Sequence, residues 1–256
     1  MTLRIAAATD VGLRRDRNED YYATWSPETE AERERRGELL VVADGMGGSA
    51  AGEVASRTAV EAVLHHFQSH ADAFDVALTH ALEAAHHAVH RMSVERPELS
   101  GMGTTCTAVA VRGGEVQFAH VGDSRAYLVR DGRPQQLTAD HSLVAQLVQQ
   151  QLMTPEQARV DPRRNVLTRS IGVGEVVEVD GGALAGGLRA GDTLLLCSDG
   201  LHGLVSDEEL ASFASRADLE GACAALIELA RERGGHDNIT VVLARPRSGV
   251  PGAPGA

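Results

Sequence analysis

Aromatic side chains make up only 3% of the 256 residues, so the core must be built from Ala, Val and Leu rather than from a few large rings. Cysteine is scarcer still. Cys106, Cys197 and Cys223 are scattered with no C-x-x-C spacing, which excludes a disulfide framework and a cysteine zinc cluster and leaves three small buried hydrophobes in a reduced compartment. Positive charge is also short: 24 Lys and Arg against 36 Asp and Glu give a net charge of −12, which disfavours nucleic acid and anionic membrane as partners. No stretch reaches the roughly 18 consecutive apolar residues of a membrane span. The opening residues, MTLRIAAATDVG, lack the apolar run and cleavage site of a signal peptide. A cytoplasmic protein is expected.

What is present is 43% hydrophobic residues and 27 glycines, enough for a sizeable core with many turns. Leu3 to Thr9 and Glu38 to Ala43 are short apolar runs, expected as strands, the second ending at the turn pair Asp44-Gly45. Between them, Ser26 to Gly37 is charged throughout and reads as a solvated loop with a helical turn through Glu32 and Arg36. The period then lengthens. Ala55, Ala59, Val63 and Phe67 recur every four residues, and Leu78, Leu82, Ala85, Val89 and Met92 follow a 4-3-4-3 spacing, so two amphipathic helices are expected. Thr104 to Leu137 returns to strands, broken at Gly113-Gly114 and Asp131-Gly132, which reads as an antiparallel meander. Helical patches follow at Ser142 to Gln151 and Thr154 to Arg159, then strands near Val176 to Leu184 and Asp192 to Cys197. A helix with the stripe Leu219, Ala222, Cys223, Leu226 and Ala230 leads to a last strand, Ile239 to Ala244. This order does not alternate as βαβ, so the class is α+β with largely antiparallel sheets. One domain over residues 1–246 is expected, with 247–256 a disordered Gly/Pro/Ala tail.

The informative pattern is a set of acids where strands run out into glycine turns. Asp44 leads Gly45-Met46-Gly47-Gly48, Asp123 follows Val121-Gly122, and Asp199 follows Leu194 to Ser198 and leads Gly200. One such Asp alone reads as a turn former. Several that converged would repel one another unless a cation compensated, and a cluster of hard oxygens suits magnesium or manganese rather than zinc.

These residues carry a resemblance. Arg15-Asp16-Arg17-Asn18-Glu19-Asp20, Asp44-Gly45-Met46-Gly47-Gly48, Gly103-Thr104-Thr105, Gly122-Asp123-Ser124-Arg125, Asp140-His141-Ser142, Thr168-Arg169-Ser170-Ile171-Gly172, Cys197-Ser198-Asp199-Gly200-Leu201 and His236-Asp237-Asn238-Ile239-Thr240 resemble, in order, the motifs of the bacterial PP2C-type, or PPM, protein serine/threonine phosphatases. The resemblance covers residues 4 to about 245. It implies a four-layer αββα sandwich with a dinuclear Mn2+ or Mg2+ centre at one end, and a third ion held more weakly. Asp44 resembles the acid bridging the two metals, with the Gly45 carbonyl completing one coordination sphere. Asp199 and Asp237 resemble ligands of the first metal, Glu19 and Asp20 the acids that reach the second metal and its waters. Asp123 resembles an acid that shares the third ion with Asp199. Arg15 resembles the clamp on the substrate phosphate, and Thr138 to Asn165 the flap beside the site.

The implied reaction is hydrolysis of phosphoserine and phosphothreonine on proteins modified by bacterial kinases, by a metal-activated water and without a covalent intermediate. A monomer is expected. No C-x5-R loop is present, which excludes the cysteine-based route. Two departures stand out: Met46 lies where eukaryotic members carry a histidine assigned as general acid, and Gln149-Gln150-Gln151 stands where the flap often has glycine. His86 and His90 are spaced i,i+4 but sit among His65, His66, His70, His80 and His87, and read as a solvated helix face rather than a metal site. A catalytically silent docking module and a hydrolase of small phosphomonoesters remain open as alternatives.

Overall fold

The computed structural model describes residues 1–47 and 51–247. Gly48 of the glycine motif and the expected tail beyond Arg247 lie outside the described residues. Arg247 itself is not tail: its N–H donates to the Thr2 carbonyl at 2.8 Å and its Nε to the Leu3 carbonyl at 3.0 Å.

The chain runs β1 (Leu3–Asp10), β2 (Asp20–Trp25), α1 (Glu30–Arg36), β3 (Glu38–Met46), α2 (Ala51–Ser69), α3 (Ala77–Glu95), β4 (Gly103–Thr104), β5 (Cys106–Arg112), β6 (Glu115–Val121), β7 (Arg125–Arg130) and β8 (Arg133–Gln136). It continues through α4 (Leu143–Gln149), α5 (Pro155–Val160), β9 (Asp180–Ala183), β10 (Thr193–Cys197), α6 (Asp199–His202), α7 (Asp207–Ala214), α8 (Leu219–Glu232) and β11 (Ile239–Pro246). Two antiparallel sheets form, ordered β1-β11-β10-β7-β8 and β2-β3-β5-β6-β9, with β4 added to β3.

Side chains alternate across a strand, and that parity builds the layers. On β3, Leu40 and Val42 join Leu128, Leu194, Leu196 and Val242 in a core between the sheets. Leu39, Val41 and Ala43 face the other way, onto the stripes of α2 and α3. On the opposite side Leu195, Cys197 and Leu243 meet α7 and α8. The four-layer αββα sandwich follows from these three apolar clusters. The same parity carries polar residues into one end of the inter-sheet layer: Asp44 continues the row of Leu40 and Val42, Asp20 that of Tyr22, and Thr240 that of Val242.

Three local expectations need correction. The segment expected as a solvated loop is the helix α1, started by the Thr29 hydroxyl accepting from the Glu32 N–H and closed at Gly37, where φ is +80°. It buries no residue, so caps and charge pairs form it rather than an apolar face. The stretch Thr104 to Leu137 is not one meander, because β6 lies in one sheet and β7 in the other. The chain crosses at Gly122, whose φ of +113° and 2.6 Å approach of any Cβ to the Thr105 side chain admit only glycine. Val176 to Leu184 supplies only the four-residue β9.

Candidate metal centre

The acids converge because five chain segments end at the same edge of the sandwich. Asp20 and Asp44 are direct partners across β2 and β3. Asp123 sits in the crossover between the sheets, Asp199 opens α6 straight after β10, and Asp237 precedes β11. Asp20 and Asp123 are buried, whereas Glu19, Asp44, Asp199 and Asp237 keep partial access to solvent.

Each acid is held by its backbone surroundings. The Asp44 N–H donates to Thr105 Oγ1 at 2.8 Å, and its carbonyl accepts from Thr104 Oγ1 and the Thr105 N–H, both at 2.8 Å. The Glu19 carbonyl accepts from Ser56 Oγ at 2.6 Å and from the Gly45 N–H at 3.1 Å. Asn238 accepts from the Glu19 N–H through Oδ1 at 2.8 Å and donates through Nδ2 to the carbonyls of Val11 and Arg17, so one amide clasps the loop that carries Arg15 and Glu19. Asp20 Oδ2 accepts from Ser198 Oγ and Thr240 Oγ1, each at 2.7 Å. Asn238, Ser198 and Thr240 lie in motifs singled out from the sequence but had no role there. Their function is to orient acids, and no sequence spacing shows that.

The acids act on one another electrostatically. Asp44 is held well above the usual carboxylate range, first by burial and then by the charges of Asp20, Asp199, Asp123 and Asp237. Burial pushes Asp20 up to about 7, against the pull of the two hydroxyl donors. Asp199 rises to about 6 through burial and Asp237, and Asp123 rises well above the ordinary range through burial, Asp199 and Asp140. Glu19 is raised by burial, offset by Arg15. Two buried oxygens, Asp20 Oδ1 and Asp199 Oδ1, have no hydrogen-bond partner. Orphaned carboxylate oxygens amid unrelieved negative charge are what a divalent cation satisfies, and an all-oxygen donor set selects Mg2+ or Mn2+. The residues therefore fit the implied metals.

Arg15 reaches the cluster from outside, with Nη2 donating to Asp237 Oδ2 at 2.8 Å while 48% of its side chain stays exposed. Met46 has its methyl against Gly103 and offers no proton. His202 is no replacement: it hydrogen-bonds through Nε2 to the Asp123 carbonyl at 2.9 Å, and burial depresses it to about 3. The segment 138–165 carries α4 and α5, and its start is fixed beside Asp123. Arg125 pairs with Asp140 at 2.7 Å, and His141 Nδ1 accepts from the Gly122 N–H at 3.1 Å. Gln151, in the glutamine run, adopts φ +59°, a conformation glycine takes at lower cost. His86 departs from the solvated face expected of it: it is fully buried, and its Nδ1 accepts from the Gly172 N–H at 3.1 Å. It anchors the loop after Arg169. Cys106, Cys197 and Cys223 are free and buried, and burial pushes Cys106 and Cys223 up to about 12, so none supplies a thiolate.

These shifts fix the sign of a pH effect on the metal-free chain. A raised carboxylate pKa means that the folded state binds more protons than the unfolded chain, so stability is lost as pH climbs from the ordinary carboxylate value of about 4 to the folded values of about 6 to 7. His120 and His202, depressed to about 4 and about 3, act in the opposite sense below the ordinary imidazole value of about 6.5. In chelator, the melting temperature is expected to rise from pH 8 to about 6.5 and to go on rising more gently towards pH 5, because the raised carboxylates outnumber the depressed imidazoles, with saturating Mn2+ removing the alkaline loss. Thermal melts across that range check it, and higher stability at pH 8 than at 6.5 in chelator would contradict the cluster.

The family profile described as protein phosphatase 2C matches residues 14–244. The serine/threonine protein phosphatase PstP of Mycobacterium tuberculosis is 40% identical over 245 residues, which are 95% of this chain and 45% of PstP. The chain thus spans about half the length of that relative. The protein phosphatase PhpP of Streptococcus pneumoniae is 35% identical over 249 residues, 94% of this chain and 96% of PhpP. Among solved structures, the PstP catalytic domain in complex with two manganese ions superposes with a TM-score of 0.79 at 38% identity, covering 95% of this chain and 97% of that one.

Proposed function

The chain belongs to the protein phosphatase 2C family, and from that premise we propose that it hydrolyses phosphoserine and phosphothreonine monoesters on proteins at the carboxylate cluster. One observation carries the proposal: Asp20, Asp44, Asp123 and Asp199 are all held above the ordinary carboxylate range, by burial and by neighbouring acids, at a sheet edge where two buried oxygens have no partner. Asp44, the Gly45 carbonyl, Asp199 and Asp237 are the groups to hold a pair of Mn2+ or Mg2+ ions, with Glu19 and Asp20 on the second ion's side and Asp123 beside Asp199 for a third. When bound, the ions neutralise phosphoryl charge and supply a nucleophilic water at neutral pH.

The chain's own residues do the rest. Arg15 presents a planar fork to the phosphate dianion, a geometry lysine does not reproduce, and its bond to Asp237 keeps that fork over the cluster. Asn238 fixes the loop behind it. With methionine at 46 and His202 held neutral, the departing serine or threonine oxygen takes its proton from solvent. All the acids that a silent docking module would be expected to have lost are in place, which favours catalysis over that reading.

The substrates are phosphorylated proteins, in particular those modified by bacterial Ser/Thr kinases, and the chain acts as a monomer in the cytoplasm. No helix among the described residues is long and apolar enough to cross a membrane. Phosphate release from a phosphothreonine peptide by metal-stripped protein tests the reaction. Activity should appear with Mn2+ and vanish with EDTA, and full turnover after verified metal removal would overturn the proposal. Arg15→Ala is expected to raise KM for the peptide about 10- to 100-fold with a smaller change in kcat, since charged hydrogen bonds contribute about 1.5–3 kcal/mol. Unchanged kinetics would return Arg15 to the surface.

A further inference from the structure

The histidine-rich outer helices hold a second cluster, far from the sheet edge in composition as well as in place. His66 lies in the last turns of α2, Asp72 in the connection that follows, and His80 in the first turn of α3. Asp72 Oδ2 is 2.8 Å from His66 Nε2 and 3.3 Å from His80 Nδ1. Among the described residues this is the one set of three or more His, Cys, Asp or Glu whose candidate ligand atoms all lie within 4.8 Å of one another.

We propose that His66 Nε2, Asp72 and His80 Nδ1 form a second metal site, specific for a zinc-class ion, that clamps the connection between α2 and α3. Two imidazoles and one carboxylate match the open zinc sites that keep a fourth position for water. Zn–N and Zn–O distances near 2.0–2.2 Å put neighbouring ligand atoms roughly 3.3–3.5 Å apart; the two Asp72 edges are 2.8 and 3.3 Å and the third lies within 4.8 Å, so small side-chain adjustments bring the three atoms to that spacing. Water has access, because 46% of the His80 side chain is exposed and a hollow of about 160 Å3 adjoins His66 and Asp72.

The surroundings suit a cation. The His70 ring stacks on His66 with centroids 4.0 Å apart and fixes its plane. Arg36, the cation lining the same hollow with Arg35, turns its Nη1 to the carbonyls of Phe67 and His70. Ligand softness separates the two centres: imidazole favours zinc, whereas the all-oxygen cluster favours Mg2+ or Mn2+. The inference does not depend on the phosphatase reading.

The test uses the full chain with excess Mg2+ on the carboxylates, titrated with Zn2+ against a chromophoric zinc chelator. Wild type is expected to take up one zinc equivalent more than His80→Gln or Asp72→Asn. It should also gain a few degrees in melting temperature on zinc addition that the variants do not. Cooperative melts at the same temperature before zinc addition, in all three, show that the variants fold. In wild type alone, the imidazole nitrogen resonances of His66 and His80 are expected to shift with zinc, which keeps the test independent of variant folding. Equal uptake by wild type and both variants, or resonances unmoved by zinc, overturns the site and leaves Asp72 as an anion bonded by two histidines.

Discussion

Asp199→Asn is expected to cut kcat by about 10^3- to 10^4-fold while making the metal-free chain more stable. The loss follows from removing one anionic ligand, since each bound cation contributes several kcal/mol of charge stabilisation and about 1.4 kcal/mol is a factor of ten in rate. The gain has the opposite origin. Asp199 rises to about 6 chiefly through burial and the charge of Asp237, and its Oδ1 lacks a partner, so at pH 8 the folded chain holds an ion that water would hold better. Asparagine keeps the shape, removes the charge and relieves Asp44 and Asp123, which both feel Asp199. A stabilisation of about 1–3 kcal/mol in chelator at pH 8 is expected, shrinking as pH falls through about 6 towards 4. Manganese should stabilise wild type strongly and the variant weakly. Melts with and without Mn2+, beside turnover on a phosphothreonine peptide, separate this from ordinary damage, which lowers both quantities together. A near-wild-type rate would remove Asp199 from the metal set.

How far the sequence reveals this molecule depends on which force fixes each part. Periodicity finds α2, α3, α8 and the apolar strands, because those elements are formed by burial and burial leaves a stripe. It does not reveal β2, although Tyr21, Tyr22, Thr24 and Trp25 are strand formers, since the strand is short and has one end in the acidic site. It does not reveal α7 either, whose start is marked by a capping box of Ser206 and Glu209 that a search for apolar stripes passes over. The two-sheet stacking was implied by the family resemblance and not by spacing. The one residue that betrays the switch between sheets, Gly122, reads locally as a turn. The acids were legible as a set because each lies where an apolar run stops. Their supports were not: Asn238 meets Glu19 across 219 residues and Ser198 meets Asp20 across 178, and hydrogen bonds of that span leave no periodic trace.

Gly45→Ala is expected to lower the melting temperature by about 6–12 °C and to abolish phosphate release in whatever fraction stays folded. From the sequence, Gly45 is half of a turn pair after Asp44. In the structure it is still strand, paired with Thr104 of β4, and the need for glycine there comes from crowding rather than from a turn. A Cβ at 45 would stand 2.1 Å from the Gly52 carbonyl oxygen in the first turn of α2 and 2.7 Å from the Glu19 carbonyl oxygen. Both neighbours are backbone, so neither can rotate aside, and β3 must part from α2 or from the Glu19 loop. Forced overpacking of this kind costs about 3 kcal/mol or more, and each kcal/mol is worth about 2–4 °C in a domain of this size. The displaced groups are the Gly45 carbonyl and Glu19, so added Mn2+ should fail to rescue either stability or turnover. Gly132→Ala gives the comparison: it has φ +72° but nothing within 4 Å of its Cβ, so only the left-handed backbone is penalised, at about 1–2 kcal/mol, and Mn2+-dependent activity should persist. If the two variants melted together, or if Gly45→Ala kept full turnover, the close approach of β3, α2 and the Glu19 loop would not be what shapes the site.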